Sequence, residues 1–240
     1  MKEPNETGGH ECKDTLGNGC RARVLPLLFQ LSKVLSESED LSVAMGILLR
    51  IMESNLGVAR GMVNLYHRRT GKIFIHKSLG LTGEEERHGV YAPGEGITGR
   101  VVETGRAIVV PRIGDEPNFL NRTQSKLTEE YKNFSFLCTP IIRGRKVLGT
   151  ISAEKPFTTP EILTRDLEIL TIIAAMTAHA VELYLIESEE RSFWEKENRR
   201  LQEALKERYK TSSIIGNSKP MREVHAMIER IANAKTTVLL

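Results

Sequence analysis

Apolar residues along the chain change their period several times, and each change marks an element. From Val24, the positions Leu27, Leu28, Leu31, Val34 and Leu35 recur at helical spacing. After a polar break from Ser36 to Asp40, Leu41, Met45, Leu48, Leu49 and Met52 repeat the pattern, so two amphipathic helices are expected. Met62 to Tyr66 and Lys72 to Lys77 then read as strands around the Arg69-Thr70-Gly71 turn. The Gly94-Glu95-Gly96 loop introduces a short helix from Ile97 to Thr104 closed by Gly105, followed by a strand from Ala107 to Val110. A second hairpin joins Phe136–Ile142 to Lys146–Ala153 through Arg143-Gly144-Arg145, whose glycine can adopt the positive φ of a tight reversal. From Pro160 to about Lys210 the chain lacks Gly and Pro after the first position. Leu167, Leu170, Ile173, Ala174, Thr177, Val181 and Leu185 make one helical stripe.

Beyond Ile186 the composition shifts. Glu187 to Lys210 holds seven Glu and seven Lys or Arg, with apolar residues thinned to Phe193, Trp194, Leu201, Ala204, Leu205 and Tyr209. Glu187 with Arg191 and Glu195 with Arg199 stand four apart, each pair worth roughly 0.2 to 0.5 kcal/mol on a solvated helix. One Trp194-to-Leu201 heptad leaves two readings open, a dimeric signalling helix and a monomeric linker. The pattern divides the chain into a flexible tail (1–22), a sensor-sized domain (23–186), a charged helical linker (187–211) and a final segment (212–240). The overall class is α+β, an antiparallel sheet flanked by helices.

Composition narrows the function. With 240 residues, 40% hydrophobic, 27% charged and a formal charge of +3, the chain can bury a full-sized core and carries no strongly basic face. No helix-turn-helix or basic patch with interleaved aromatics is evident, which argues against direct DNA binding by these residues. The longest uninterrupted apolar runs fall far short of the ~20 residues that cross a bilayer. The N-terminus lacks a signal peptide's apolar centre, so cytoplasmic residence is expected. Three cysteines, Cys12, Cys20 and Cys138, argue against a disulfide scaffold in that compartment.

The run Pro93-Gly94-Glu95-Gly96-Ile97-Thr98-Gly99-Arg100-Val101, the strand Ala107 to Pro111 and the segment Phe136 to Glu154 together resemble a GAF domain, a small-molecule sensor fold, over residues 24 to about 186. The end of the chain carries a second resemblance. Ile214-Ile215-Gly216-Asn217-Ser218, then Met221, Val224, Ile228 and Ile231 at helical spacing, then Thr236 to Leu240, are similar to the start of the α/β AAA+ ATPase module of sigma-54-dependent transcription activators. With Phe119-Leu120-Asn121-Arg122 ahead of the second hairpin, the whole resembles the N-terminal half of a NifA-type nitrogen-fixation activator.

That resemblance implies a division of labour. The GAF domain controls an ATPase that hexamerises, binds ATP and Mg²⁺, and remodels sigma-54 RNA polymerase bound at a distance from enhancer DNA. No G-x-x-x-x-G-K-[ST] occurs here, so these residues are not expected to hydrolyse ATP, and a phosphate loop is expected directly after Leu240. Ile215 and Gly216 would border the adenine ring in the complete ATPase, or form a plain strand-to-helix connection.

For the sensor domain, the resemblance implies a small anionic effector such as 2-oxoglutarate. The helix start at Gly94, Gly96, Ile97 and Thr98 would present amides and the positive helix pole, with Tyr91 and Arg112 supplying further polar contacts. The competing reading is that the glycines only make the turn and Thr98 caps the helix. Other effectors remain open, among them a cyclic nucleotide and a redox or metal signal.

His10, Cys12 and Cys20 are weak metal candidates. Cysteine-bearing tails occur in activators of alternative nitrogenases, where an iron-sulfur centre can report redox state, but seven residues separate the two cysteines and no C-x-x-C is present. An uncommitted tail is the simpler reading. A GAF-fold methionine sulfoxide reductase is the enzymatic alternative, yet only Cys138 falls in the core and such chemistry wants a resolving thiol. No catalytic residue and no cofactor is expected in these 240 residues.

Overall fold

The computed structural model describes residues 18–38, 40–123, 129–209, 216 and 218–231. They form two compact units, 1–186 and 187–240.

In the first unit, helices α1 (Asn18–Glu37) and α2 (Leu41–Leu56) come first. The first helix begins at Asn18, ahead of the periodic apolar run, so it takes in residues 18–22 that the polar composition assigns to a tail. It runs through Pro26 and is anchored by Leu27 and Leu31. Asp40 caps α2 by accepting from the Ser42 and Val43 amides at 2.6 and 3.4 Å, satisfying two donors that a helix start leaves without partners.

The sheet has six strands in the order β3-β2-β1-β6-β5-β4, every pair antiparallel. They are β1 (Arg60–His67), β2 (Lys72–Leu79), β3 (Val90–Tyr91), β4 (Ile108–Val110), β5 (Phe134–Arg143) and β6 (Lys146–Pro156). The hairpin turn places Gly144 at φ 61°, the left-handed conformation that its sequence position requires. The helix Pro160–Tyr209 follows β6, so α3 (Gly83–His88), α4 (Gly96–Thr104) and α5 (Glu129–Lys132) precede α6 in chain order.

The hairpins, α4 and the long helix follow the apolar pattern. Helix α3, strand β3 and the single turn of α5 do not, because elements of two to six residues are too short to show a period. Helix α3 did carry a local signal: Thr82 and Glu85 form a reciprocal capping box.

Side chains alternate across the strands, and the two faces have different fates. Val63, Leu65, Leu137, Ile141, Ile151 and Ala153 point into the main core with α1, α2 and the first part of α6, including Leu163, Leu170, Ile173 and Val181. At about 25 cal/mol per Å² of apolar surface removed from water, this layer is the chief source of stability. By length and composition α6 could span a membrane, but within this unit its apolar stripe is spent on the core. Met62, Phe136 and Cys138 point the other way, toward α4 and the segment around Phe119.

In the second unit, the rest of α6 exposes Phe193, Trp194, Leu201 and Leu205, and Arg200 meets Glu197 at 3.6 Å. Helix α7 (Lys219–Ile231) realises the spacing of Met221, Val224, Ile228 and Ile231, and Val224, Met227 and Ile228 are exposed. The expected strand at Thr236 to Leu240 lies outside the described residues, as do Ile215, His10 and Cys12. Gly216 is exposed, and Cys20 falls within α1.

Candidate functional site

A small cavity lies on the sheet face opposite the long helices. Its walls are Met62 and Asn64 from β1, Tyr91 from β3, Ile97 and Thr98 from α4, Phe119, Leu120 and Thr123 from the segment after β4, Phe136 from β5 and Glu154 from β6. The volume is about 20 Å³, little more than the space one water needs. Any larger occupant must move a wall.

The wall is polar at its centre. Glu154 is 4% exposed, and its Oε2 accepts from the Tyr131 hydroxyl and lies 3.7 Å from Arg60 Nη1. Arg60 also stacks over the Tyr131 ring at 4.8 Å. Burial pushes the Glu154 carboxyl upward, while the Tyr131 hydrogen bond and the Arg60 charge pull it back. Asn64, 1% exposed, donates through Nδ2 to Thr150 Oγ1 at 3.0 Å, and its Oδ1 has no hydrogen-bond partner. Arg60 Nη1 and Ser152 Oγ are also buried without a hydrogen bond. A buried polar atom left unmade in this way costs ~1 to 3 kcal/mol. Tyr91 is pushed up to about 12 by burial first and the Glu154 charge second, so it stays a neutral phenol.

Cys138 is fully buried beside Thr150 and Thr98. Burial pushes its thiol up to about 12, which removes the thiolate that nucleophilic or redox chemistry needs. It is a packing residue.

The glycine-rich loop explains itself locally. Gly94 and Gly96 have φ of 82° and 59°, and a side chain at Gly99 would run into the Ala92 carbonyl. The N-cap of α4 is Glu95, so Thr98 does not cap the helix; it is buried and faces the cavity. The Glu95 carboxylate accepts from the Ala92 amide at 2.8 Å and forms an ion pair with Arg122. The positive pole of α4 therefore already has its anion.

Of the residues expected from the sequence, the structure brings Tyr91, Ile97 and Thr98 together at the cavity. Gly94 and Gly96 shape the loop behind it, Gly96 against Leu120. Arg112, also expected at the site, does not line this cavity. It is exposed, stacks on Phe157 at 4.8 Å, and borders a separate groove of about 360 Å³ with Val110, Pro111, Asp115, Glu116 and Pro160. Leaving β4 at Pro111, the chain turns away from the sheet before it can point Arg112 inward. Asn64, Thr123 and Glu154 were not anticipated, though a lone Asn within the apolar run Met62 to Tyr66 was a readable signal.

Among the described residues no cluster of His, Cys, Asp and Glu is arranged to hold a metal.

On the opposite face, Lys155, the residue after Glu154, extends Nζ to Asp166 Oδ2 at 2.5 Å and to the Leu56 carbonyl at 2.7 Å. Both side chains are buried. One strand step thus joins the cavity to α6 and to the end of α2.

Comparison with known proteins gives a consistent picture. The GAF domain family matches residues 40–181. The chain is 55% identical over 230 residues to the nitrogen fixation protein VnfA of Azotobacter vinelandii, covering 95% of this chain and 44% of that protein. It is 32% identical over 217 residues to a Nif-specific regulatory protein of Herbaspirillum seropedicae, covering 90% of this chain and 40% of the relative. It therefore spans less than half the length of these relatives. The nlh2 GAF domain of A. aeolicus, solved in an inactive state, superposes with a TM-score of 0.59 at 22% identity, over 68% of this chain and 98% of that one.

Proposed function

This chain belongs to the GAF domain family and matches nitrogen-fixation regulators of the NifA type, and from that premise we propose that its GAF domain is an effector-receiving switch for a downstream AAA+ ATPase. In this reading the complete protein is a cytoplasmic sigma-54-dependent activator. It binds ATP and Mg²⁺, hexamerises, and acts on sigma-54 RNA polymerase from enhancer DNA. Residues 212–240 are read as the beginning of the ATPase module, with Ile215 and Gly216 beside the adenine. Self-association through the linker helix is supported by the exposure of Phe193, Trp194, Leu201 and Leu205.

The observation that carries the switch is the pair of consecutive residues on β6. Glu154 lines the cavity, and Lys155 is locked to Asp166 on α6. An occupant that displaces the Tyr131 hydroxyl from the Glu154 carboxylate, or donates a further hydrogen bond to it, shifts β6. The strand cannot shift without straining a buried ion pair on the helix. The cavity's state is thereby passed to α6 as a choice between two packings rather than as a gradual bend.

The test uses the full-length protein. Replacing the pair together, Lys155→Met with Asp166→Leu, substitutes hydrocarbon for a buried ion pair and preserves folding. ATPase activity is expected to persist and to lose its response to effector. Retained regulation in a folded double variant would refute the coupling. 2-oxoglutarate, the dicarboxylate implied by the family resemblance, is the first titrant, and an absence of both heat and chemical-shift change at millimolar concentration would remove it as the effector.

A further inference from the structure

The chemistry of the cavity wall selects among effectors. Resting on the reading that this cavity receives the effector, we infer that it takes a small molecule bearing an N–H donor, neutral or cationic, in preference to a dicarboxylate.

Three observations converge. Asn64 Oδ1 is an acceptor without a partner on a residue that is 1% exposed and lines the cavity. Its Nδ2 donates to Thr150 Oγ1, and the Thr150 hydroxyl also bonds Cys138. Glu154 offers a second acceptor group on the same wall, its Oε2 already approached by the Tyr131 hydroxyl and Arg60. Finally, no Lys or Arg among the described residues lines the cavity: Arg60 lies behind the wall, paired with Glu154 and stacked on the Tyr131 ring, and Arg122 pairs with Glu95 at the head of α4. Arg112 belongs to another groove.

A dicarboxylate placed here meets two acceptor side chains, Glu154 and Asn64, with no cation on the described wall to pair with. An ammonium, guanidinium or carboxamide N–H meets two acceptors. Its hydrocarbon part would lie against Met62, Phe119 and Phe136. Tyr91 and Thr98 add hydroxyls that serve as donor or acceptor, so they accommodate the ligand's remaining polar group without selecting its charge.

The experiment is an NMR titration of the 240-residue chain with three probes: methylammonium chloride, acetamide and 2-oxoglutarate. The Asn64 side-chain amide and the Thr98 and Phe136 backbone amides are followed. Methylammonium and acetamide are expected to move these signals, and 2-oxoglutarate to leave them in place. Glu154→Gln is expected to weaken methylammonium by at least about tenfold, as loss of a buried charge partner does, and to change acetamide binding little.

If 2-oxoglutarate moves the cavity signals and the two donor probes do not, the inference is overturned while the effector-site reading survives. If none of the three moves them, the inference also falls, and the switch is judged separately by the Lys155–Asp166 double variant. Should Glu154→Gln fail to fold, the ranking of the three probes on the unaltered chain decides.

Discussion

The two faces of the central strands obey different rules. On the helix-covered face of β1, β6 and β5, the buried residues include Val63, Leu65, Leu137, Ile141, Ile151 and Ala153, with polarity in Ser135, the Thr139–Thr171 contact and the Lys155–Asp166 pair. On the other face the same strands, one residue out of step, present Arg60, Asn64, Thr150, Ser152 and Glu154. On these three strands those polar groups of the first face have hydrogen-bond partners. The second leaves three of them without a hydrogen bond. A face kept only for stability would be filled with hydrocarbon, and the residual polarity is what the proposed effector site requires.

The contrast can be broken in order of severity. Leu170→Ala, on the covered face, is expected to destabilise the chain by about 3 to 5 kcal/mol in denaturant unfolding, since a fully buried side chain leaves a cavity behind. Asp166→Ala should cost about 3 kcal/mol by stranding a buried Lys155, and the Lys155→Met, Asp166→Leu double variant should recover most of it. A loss equal in the single and double variants would mean that the pair itself, not its imbalance, holds the helix.

Glu154→Gln sharpens the comparison through pH. The native carboxyl is raised by burial, so its contribution is fully present below the ordinary glutamate value of about 4.3 and is lost as pH rises through the higher native value. Unfolding measured from pH 4 to pH 8 should therefore show the wild type losing ground against Glu154→Gln as pH rises. Parallel curves would show that Arg60 and Tyr131 fully offset the burial.

Two smaller effects bound the site. With its thiol near 12, Cys138 is expected to resist alkylation at pH 8 in the folded chain and react on unfolding, as read by peptide mass mapping. Arg112→Ala loses an exposed stack on Phe157 worth about 0.5 to 1 kcal/mol, and should leave the probe titrations unchanged.

The sequence made the fold legible because its long elements carry strong periods: two opening helices, two hairpins and the helix from Pro160. It made the site only partly legible. Tyr91, Ile97 and Thr98 sit within or next to a recognisable loop, so local reading reached them. Glu154 stands one residue past the apolar run that ends at Ala153, Asn64 is 90 residues away, and their meeting depends on the β1–β6 register that pairs Arg60 with Glu154 and Asn64 with Thr150. Arg112 was misplaced for the converse reason. Nearness along the chain to the glycine loop suggested a shared site, whereas the backbone turns after Val110.

On the reading that this cavity receives the effector, a chamber with room for a single water also governs timing. Association has to wait for Phe119, Leu120 or a neighbouring wall residue to swing clear, so the observed rate should climb with dose and then level off at the intrinsic opening frequency. Once doses reach that plateau, a stronger signal changes how many copies respond and no longer how fast.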